Sequence, residues 1–268
     1  MTLIALSPFD LGLAALFICL LALLSWRLHL GVERRLLFSA LRASVQLTLL
    51  GLVLKVLFAQ TELWLIGLLT LVMLSVAGYE VLARQQRRFR GWRGYALGTS
   101  AMFVSSFTLT FAALTVIIEV HPWYQPQYLI PLLGMLLGNT MSGIAITLDQ
   151  LTRGAWQQRG AIEARLMLGH DWSTTIAVLR RDALRAGLIP IVNAMAAAGV
   201  VSLPGMMTGQ ILAGSPPWEA AKYQLMILFL IATGTGFGAM IAVWFGARRL
   251  FDDRQRLRLD RLAGENPR

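Results

Sequence analysis

The 268-residue chain has 56% hydrophobic residues, 14% charged residues and a mean hydropathy of +0.62. A soluble domain usually has about a quarter of its residues charged, so this composition excludes soluble, disordered and disulfide-rich proteins. The formal net charge is +10. However, the basic residues lie in short gaps between apolar runs, a pattern that argues against nucleic acid as a partner.

Seven apolar runs predict an all-α polytopic transmembrane helix bundle that forms a single domain over residues 1–268. Each run is long enough for a helix to cross a hydrocarbon core of about 30 Å. The runs lie at roughly 9–27, 37–59, 63–83, 95–118, 128–148, 188–212 and 223–246. The first run lacks a cationic leader and a small-residue cleavage site, so we expect it to be a retained helix.

The distribution of basic residues predicts the orientation of these spans. The gaps 27–36, 84–94 and 149–187 and the tail after Gly246 hold 21 of the 24 basic residues. We expect these four segments to be cytoplasmic, because short cytoplasmic loops are enriched in lysine and arginine. Seven spans then place the N-terminus outside and the C-terminus in the cytoplasm.

The segment 149–187 is the one sizeable extramembrane piece, so we look for function there first. Asp171 or Ser173 is expected to cap a basic amphipathic helix, which Gly187 and Pro190 should separate or bend where the sixth span begins. A shorter amphipathic segment precedes that helix and ends at Gly169. One interpretation places both helices on the membrane surface, and the other makes them the contact with a cytoplasmic partner.

Three ionisable residues in the predicted spans are close enough to the ends of their helices for a structural role. Arg42 and Lys55 can extend to an interface, and Glu80 precedes Arg84 by one helical turn, which predicts an ion pair. Arg42 is also a candidate for the transport pathway, because Gln46 lies one turn above it on the same face.

Asn139 falls near the middle of the fifth span, where an unpaired amide is costly. We therefore expect its side chain to face protein or a cavity. Two interpretations remain open at this position: a hydrogen bond between packed helices, or an amide that lines a transport pathway.

The Pro204-Gly205 pair predicts a kink or an opening in the outer half of the sixth span, because proline cannot donate a helical hydrogen bond. Transporters place substrate sites at such breaks, so both residues, together with Met206, Met207 and Gln210, are pathway candidates. The two methionines are also candidate metal ligands, although packing is the alternative. Thioethers suit soft ions, whereas Fe(II) prefers carboxylate or imidazole.

Three pairs of glycines lie one helical turn apart and predict close helix packing. The pairs are Gly134 and Gly138, Gly205 and Gly209, and Gly234 and Gly238. We expect the last three spans to form most of the pathway or of a dimer interface, and the leucine-rich first three spans to face lipid.

Four sequence blocks, in order along the chain, resemble the family of iron-export ABC permeases, to which plant aluminium-tolerance permeases also belong. The blocks are Arg42-Ala43-Ser44-Val45-Gln46-Leu47, Gly138-Asn139-Thr140-Met141-Ser142, Glu163 to Gly169, and Leu203-Pro204-Gly205-Met206-Met207-Thr208-Gly209-Gln210-Ile211-Leu212-Ala213-Gly214. Within the third block, Glu163, Ala164, Arg165 and Gly169 look like the signature of the cytoplasmic helix that docks on an ATPase. The usual Ile-x-Leu-Pro ending of that signature is displaced, since Leu188-Ile189-Pro190 comes late.

This resemblance implies a permease, expected as a homodimer in the lipid bilayer, that pairs with a separate ATPase subunit. ATP and Mg would bind to that subunit, and this chain would bind no cofactor. The implied substrate is a metal ion, with iron favoured, moved outward in metal homeostasis and resistance to oxidative stress.

The residues themselves also indicate that this chain is not the ATPase. A phosphate-binding loop needs a lysine that follows glycine, and the only lysines, Lys55 and Lys222, follow leucine and alanine. Two alternatives to an ABC permease remain open. One is a gradient-driven transporter or channel, which usually has a carboxylate near the bilayer centre, and the other is a membrane scaffold for a cytoplasmic partner.

Overall fold

The computed structural model describes residues 7–59 and 62–264, which form ten helices and no sheet. The helices are α1 (Pro8–Arg27), α2 (Glu33–Ala59), α3 (Leu63–Ala83), α4 (Trp92–Ile117), α5 (Pro126–Gln157), α6 (Arg159–Met167), α7 (Trp172–Thr175), α8 (Ala177–Ala197), α9 (Gly205–Leu212) and α10 (Pro217–Arg249). Helix α4 contains two π-helical turns, Phe103–Phe107 and Ala113–Ile117, and a 3-10 turn follows α10 at Leu259–Arg261.

Six of these helices, α1 to α5 and α10, are long and apolar enough to cross a membrane. The predicted polytopic all-α bundle is therefore confirmed, but the predicted sixth span, at 188–212, is not one of these six helices. Helix α8 ends at Ala197, and the chain resumes helical structure only at Gly205. The expected break at Pro204-Gly205 is present, and it already begins at Ala198.

The break is a compact turn rather than a simple kink. Gly199 adopts a φ of +83°, a conformation that glycine tolerates best, and its N–H donates to the Ser202 carbonyl over 2.9 Å. Pro204 lies immediately before α9, where its missing N–H costs nothing. The turn thus forms hydrogen bonds for part of its own backbone, which suits an interruption between two helical segments of a membrane protein.

The two pieces on either side of the break together pass from one end of the bundle to the other. Leu179 and Ala183 of α8 pack in one cluster with Ala247, near the end of α10. Met206 and Gln210 of α9 instead share a cavity with Tyr223, near the start of α10. Since α10 is a single 33-residue helix, α8 and α9 follow its full length.

Most of the predicted loop 149–187 is helical. Helix α5 continues to Gln157, and α8 already begins at Ala177, so the basic helix and the start of the sixth span are one helix. Of the two effects expected at Gly187 and Pro190, a separation or a bend, the separation is wrong, because α8 continues through both residues. Gly187 is used for packing instead: a Cβ atom there would collide with Thr147 Oγ1 on α5.

Helices α5, α8 and α10 form the core through contacts that leave no room for side chains. A Cβ atom on Gly143 of α5 would collide with Thr235 of α10 and would lie 3.2 Å from the carbonyl oxygen of Gly187 on α8. A Cβ atom on Gly238 of α10 would lie 2.7 Å from Thr140 Cγ2 of α5. The packing role predicted for the Gly234 and Gly238 pair is therefore confirmed.

The other two glycine pairs contribute less to packing within the chain. Gly134 has one close neighbour, the methyl group of Met73, at 3.3 Å from an added Cβ atom. Positions 138, 205 and 209 have open space within 4 Å. These glycines are available for contacts outside the single chain.

The first two helices form a hairpin that packs mainly on itself. Helix α1 buries only Ala22 and Ser25 among its residues, and α2 buries Leu57 within its described side chains. We expected the first three spans to face lipid, and α1 and α2 leave most of their described side chains exposed in the single chain. Helix α3 differs, because one face with Ile66 and Val81 is buried in the main core.

Replacing Gly143 with alanine should destabilise the protein, whereas the same change at Gly138 on the same helix should not. Both substitutions raise the intrinsic helix propensity of α5 by the same amount. Only Gly143→Ala adds a methyl group where neighbouring atoms already touch. We expect a difference of about 1–3 kcal/mol between the two variants. Thermal unfolding in one detergent measures it, and equal stability of the two variants would contradict the packing described here.

Candidate functional site

A polar cluster joins α2, α3 and α5 near the end of the bundle where the basic gaps meet. Glu80 of α3 accepts a hydrogen bond from Arg42 Nη2 of α2 over 2.6 Å, and its other oxygen lies 3.8 Å from Arg84 Nε. Arg84 also donates to Ser142 Oγ of α5 over 3.0 Å. The predicted pair between Glu80 and Arg84 is confirmed. The shorter pair with Arg42 was missed, although opposite charges in neighbouring apolar spans are a signal for it.

This cluster borders a cavity of about 570 Å³, here called the inner cavity. Two predicted pathway residues, Arg42 and Gln46, line it together with Glu80, and Gly134 and Gly138 form its α5 wall. Because Arg42 and Arg84 both pair with Glu80, the carboxylate offers no free negative charge to a cation in this state.

A second cavity of about 310 Å³, here called the outer cavity, lies between α5, α9 and α10. It brings Met206 and Gln210 of α9 together with Met135 of α5 and Met226 of α10. The Oε1 atom of Gln210 is buried without a hydrogen-bond partner in the described structure. The three thioethers suit a soft ion, whereas the unpaired amide oxygen is a harder ligand. Sequence reasoning missed Met135 and Met226 as candidate ligands because they lie far from Met206 in the chain.

The remaining pathway candidates line neither cavity: they are Asn139, Pro204, Gly205 and Met207. The described residues also contain no cluster of three or more histidine, cysteine, aspartate or glutamate side chains that could hold a metal ion. Of the two candidate metal ligands, Met206 and Met207, only Met206 therefore lines the outer cavity.

Asn139 is exposed in the single chain, and its amide donates to the Met135 carbonyl over 2.8 Å. It belongs to an uncovered stripe on α5 that also contains Pro131, Gly138 and Ile146, all exposed and at helical spacing. The expected contact of Asn139 with protein or a cavity is therefore not made within one chain. An exposed amide within a membrane-spanning helix is costly in lipid, so contact of this stripe with another protein surface would be favourable.

The end of the bundle that carries the basic gaps is built as a packed base. Asp149 of α5 accepts the N–H of Gln86 over 2.6 Å, and Thr152 donates to the Arg87 carbonyl over 2.7 Å. These bonds hold the α3–α4 connection against α5. The base also has its own apolar core, in which Phe89 and Leu262 are buried together.

The C-terminal residues after α10 fold back and complete this base. The N–H of Arg90 donates to the Arg261 carbonyl and the N–H of Ala263 donates to the Arg88 carbonyl, each over 2.8 Å. Phe251 is buried in the same apolar core. Sequence reasoning treated this tail only as a source of positive charge and missed its fold, for which the apolar residues Phe251, Leu257 and Leu262 are the available signal.

The predicted coupling segment is the helix α6 with the turn that follows it. Ile162 anchors α6 in the base, whereas Glu163, Ala164 and Arg165 are exposed. Met167 and Leu168 are 83% and 78% exposed at its tip. Gly169 then turns the chain with a φ of +89°, which confirms the predicted end of the amphipathic segment at this residue.

The turn after α6 is held by a cap and by the C-terminal fold. The Asp171 side chain accepts the N–H groups of Ser173 and Thr174 over 2.9 and 3.1 Å. Asp171 is therefore a cap, as predicted, but it caps the short helix α7, whereas the basic helix α8 begins after Ile176 without a side-chain cap. Hydrogen bonding from Thr174 lowers the pKa of the Asp171 carboxyl, so the cap is charged at neutral pH. The N–H of Trp172 donates to Gln255 Oε1 over 3.1 Å, and a groove separates α6 from residues 253–257.

Residues 8–251, nearly the whole described chain, match the model of an uncharacterised protein family, UPF0014. The chain belongs to the UPF0014 family. It is 38% identical over 88% of its length to the UPF0014 membrane protein slr1647 of Synechocystis, of which 90% is covered.

Two further UPF0014 relatives have descriptive names. The probable iron export permease protein FetB of Escherichia coli is 30% identical over 92% of this chain and 93% of its own length. The protein ALUMINUM SENSITIVE 3 of Arabidopsis thaliana is 36% identical over 80% of this chain and 77% of its own length. No solved structure matches this chain. The family and the apolar helices together make this a multi-pass membrane protein.

The ion pair between Arg42 and Glu80 should stabilise this UPF0014 protein by attaching the exposed α1–α2 hairpin to α3. Arg42→Gln and Glu80→Gln should each lower the free energy of unfolding, and the double variant should lose about 1 kcal/mol less than the sum. Thermal unfolding in detergent measures this coupling. Arg42→Gln combined with Glu219→Gln, whose carboxylate pairs with Lys222 at the other end, should be additive.

Proposed function

We propose that this UPF0014 protein is the permease subunit of an ATP-driven ABC transporter that moves metal ions outward across a bacterial inner membrane. The observation that carries this proposal is the α6 segment, which presents two exposed apolar side chains, Met167 and Leu168, on a packed base. The name of the Escherichia coli relative, which this chain matches over most of its length, supports the direction and the substrate class.

Helix α6 is well placed to transmit movement of a partner to the membrane helices. Only Gln158 separates it from α5, and only a short turn with α7 separates it from α8. Helices α5 and α8 touch at Gly143 and Gly187, where the packing leaves no free space. Because packed cores do not deform continuously, displacement of α6 would shift both helices together between two arrangements.

The energy source in this proposal is a separate ATPase subunit, which would bind ATP and Mg. Neither lysine of this chain follows a glycine, so the sequence lacks the lysine of a phosphate-binding loop. The exposed apolar tip of α6, flanked by Glu163 and Arg165, supplies a small surface of the kind that fits a groove on a partner protein.

Iron is the proposed substrate because of the name of the Escherichia coli relative. The side chains that line the outer cavity, however, favour a softer metal ion. Met135, Met206 and Met226 are soft ligands, whereas Fe(II) prefers oxygen and nitrogen. A comparison of Fe(II) with Cu(I) in the same transport assay therefore tests the substrate apart from the mechanism.

A homodimer completes the proposal, and the uncovered α5 stripe is its proposed interface. A second copy placed there would cover Asn139 and would use the open space at Gly138, where helices can approach closely. The pathway would then lie between two copies of α5, next to both inner cavities.

One observation favours a gradient-driven transporter as a second candidate. Glu80 lines the inner cavity, and carboxylates in such positions carry coupling ions in secondary transporters. Its two arginine partners weigh against this role, because they neutralise the carboxylate. Flux driven by an ion gradient without ATP would favour this candidate over the ABC permease.

Removing the apolar tip of α6 should abolish coupling to the ATPase. In cells that also produce the ATPase subunit, Met167→Asp with Leu168→Asp should reduce its copurification at least tenfold, because buried apolar anchors dominate small interfaces. ATP-dependent Fe(II) uptake into inside-out vesicles should fall in parallel. Val178→Asp, at another exposed apolar residue of the base, is the matched control and should retain both.

Unchanged ATPase association in the α6 variant would contradict the docking site. Uphill transport by the purified chain alone in liposomes would contradict the ABC mechanism. ATP-dependent flux of an organic solute without any metal would contradict the substrate class.

The proposed dimer interface predicts a specific cross-link. Cys19 is the only cysteine, so a Cys19→Ser background leaves no other thiol. In this background Ile146→Cys, on the α5 stripe, should form a disulfide-linked dimer on mild oxidation in native membranes. Val116→Cys on α4, where the native side chain is 71% exposed against 39% for Ile146, should remain monomeric although it is the more accessible position. Equal cross-linking of both variants would indicate random collision and would contradict the interface.

A further inference from the structure

Four arginines meet around one cavity of about 540 Å³ at the edge of the base, between the start of α4 and the end of α10. Arg93 belongs to α4, Arg248 and Arg249 to the last turn of α10, and Arg261 to the C-terminal fold. A basic cytoplasmic edge is ordinary in membrane proteins. What distinguishes this edge is that arginines from three separate parts of the chain converge on one concave surface.

Two of the four arginines, Arg249 and Arg261, are held in place by contacts that leave their charge uncompensated. Arg261 donates from Nη1 to the carbonyls of Arg249 and Phe251, over 2.8 and 3.1 Å. Arg249 lies with its guanidinium 5.6 Å from the ring centre of Phe89, and its Nε is buried without a hydrogen-bond acceptor among the described residues. Neither contact supplies a negative charge.

Only two carboxylates line the same cavity, and both have other contacts. Asp253 pairs with Arg248 over 3.2 Å. Asp252 accepts the N–H groups of Arg254 and Arg256, over 3.0 and 2.8 Å. Four arginines against two aspartates leave the lining with excess positive charge, which favours a bound anion. Arginine is also the side chain whose planar donor array best matches the oxygens of a phosphate group.

The walls of the basic cavity indicate where such a phosphate comes from. Ala96 and Leu97 of α4 and the half-exposed Phe245 of α10 form an apolar side that continues along the membrane-spanning parts of both helices. Trp92, exposed beside Arg93, is the residue type that concentrates at the membrane interface. A free phosphate would use only the polar end, whereas a phospholipid would use the polar end and the apolar side.

We propose that this basic cavity binds the phosphate group of an anionic phospholipid from the cytoplasmic leaflet, with the acyl chains along Leu97 and Phe245. The lipid would join α4, α10 and the C-terminal fold, and so would stabilise the base that supports α6. This inference concerns lipid binding by the chain itself and does not depend on the proposed transport activity.

The test uses the full chain in detergent, with phosphatidylglycerol added as the probe and lipid-bound states counted by native mass spectrometry. Arg93→Gln should weaken phosphatidylglycerol binding about fivefold, and Arg93→Gln with Arg249→Gln about 25-fold, given the usual contribution of one arginine near an anionic lipid. Arg181→Gln removes an exposed charge on α8 outside the cavity and should leave binding unchanged. Because Arg93 is exposed, we expect the Arg93→Gln variant to fold. This variant alone can therefore test the site if the double variant fails to fold.

Each alternative gives a different result. Equal losses in the Arg93 and Arg181 variants would show general electrostatic attraction and would overturn the site. Protection against thermal unfolding by inorganic phosphate as strong as by phosphatidylglycerol would overturn the lipid assignment, as would equal binding of phosphatidylcholine. If Arg93→Gln released the ATPase subunit but bound phosphatidylglycerol normally, the cavity would be a protein contact and not a lipid site.

Discussion

The close contact among α5, α8 and α10 is the constraint on which the rest of the structure depends. At Gly143 and Gly187 two helix backbones approach until a single methyl group would collide, and Thr235 of α10 closes the third side. In a bilayer, where apolar association between helices gives little driving force, such packing is the main way to hold helices together. The three helices therefore behave as one body that connects the base with the outer cavity.

The arrangement separates rigid from adaptable parts of the molecule. The base has its own apolar core, sealed by hydrogen bonds to the α3–α4 connection and by the C-terminal fold. By contrast, the α1–α2 hairpin buries few side chains, and the Arg42 and Glu80 pair is its principal polar contact with the bundle. The inner cavity lies at the junction of these two parts, so a change in the hairpin position would alter its volume.

Sequence patterns predicted features that depend on local chemistry. Hydropathy located six of the spanning helices, Asp171 was identified as a cap although the helix that it caps is α7, and Pro204 with Gly205 marked the break. Each of these features depends on residues within one or two turns. The extent of the break was not predicted, since it depends on the left-handed turn at Gly199. Of the separation or bend expected at Gly187 and Pro190, the separation did not occur, because Gly187 is used for close packing against α5. A glycine in a helix can serve either flexibility or close packing, and only the neighbouring helix decides which.

Contacts between distant parts of the chain could not be predicted from the sequence alone. The pairing of Arg42 with Glu80, the meeting of Met135, Met206 and Met226, and the convergence of arginines on the basic cavity each combine residues from separate helices. Four of the predicted pathway residues, Arg42, Gln46, Met206 and Gln210, nevertheless line one of the two cavities.

The C-terminal fold also has a consequence for biosynthesis. The backbone bonds between residues 88–90 and 261–263 connect the α3–α4 connection to residues that follow α10. During translation the α3–α4 connection is therefore made long before its partner, and the apolar core around Phe89 is completed only after α10 has been made. The base that supports α6 thus forms only once all six long apolar helices have been synthesised.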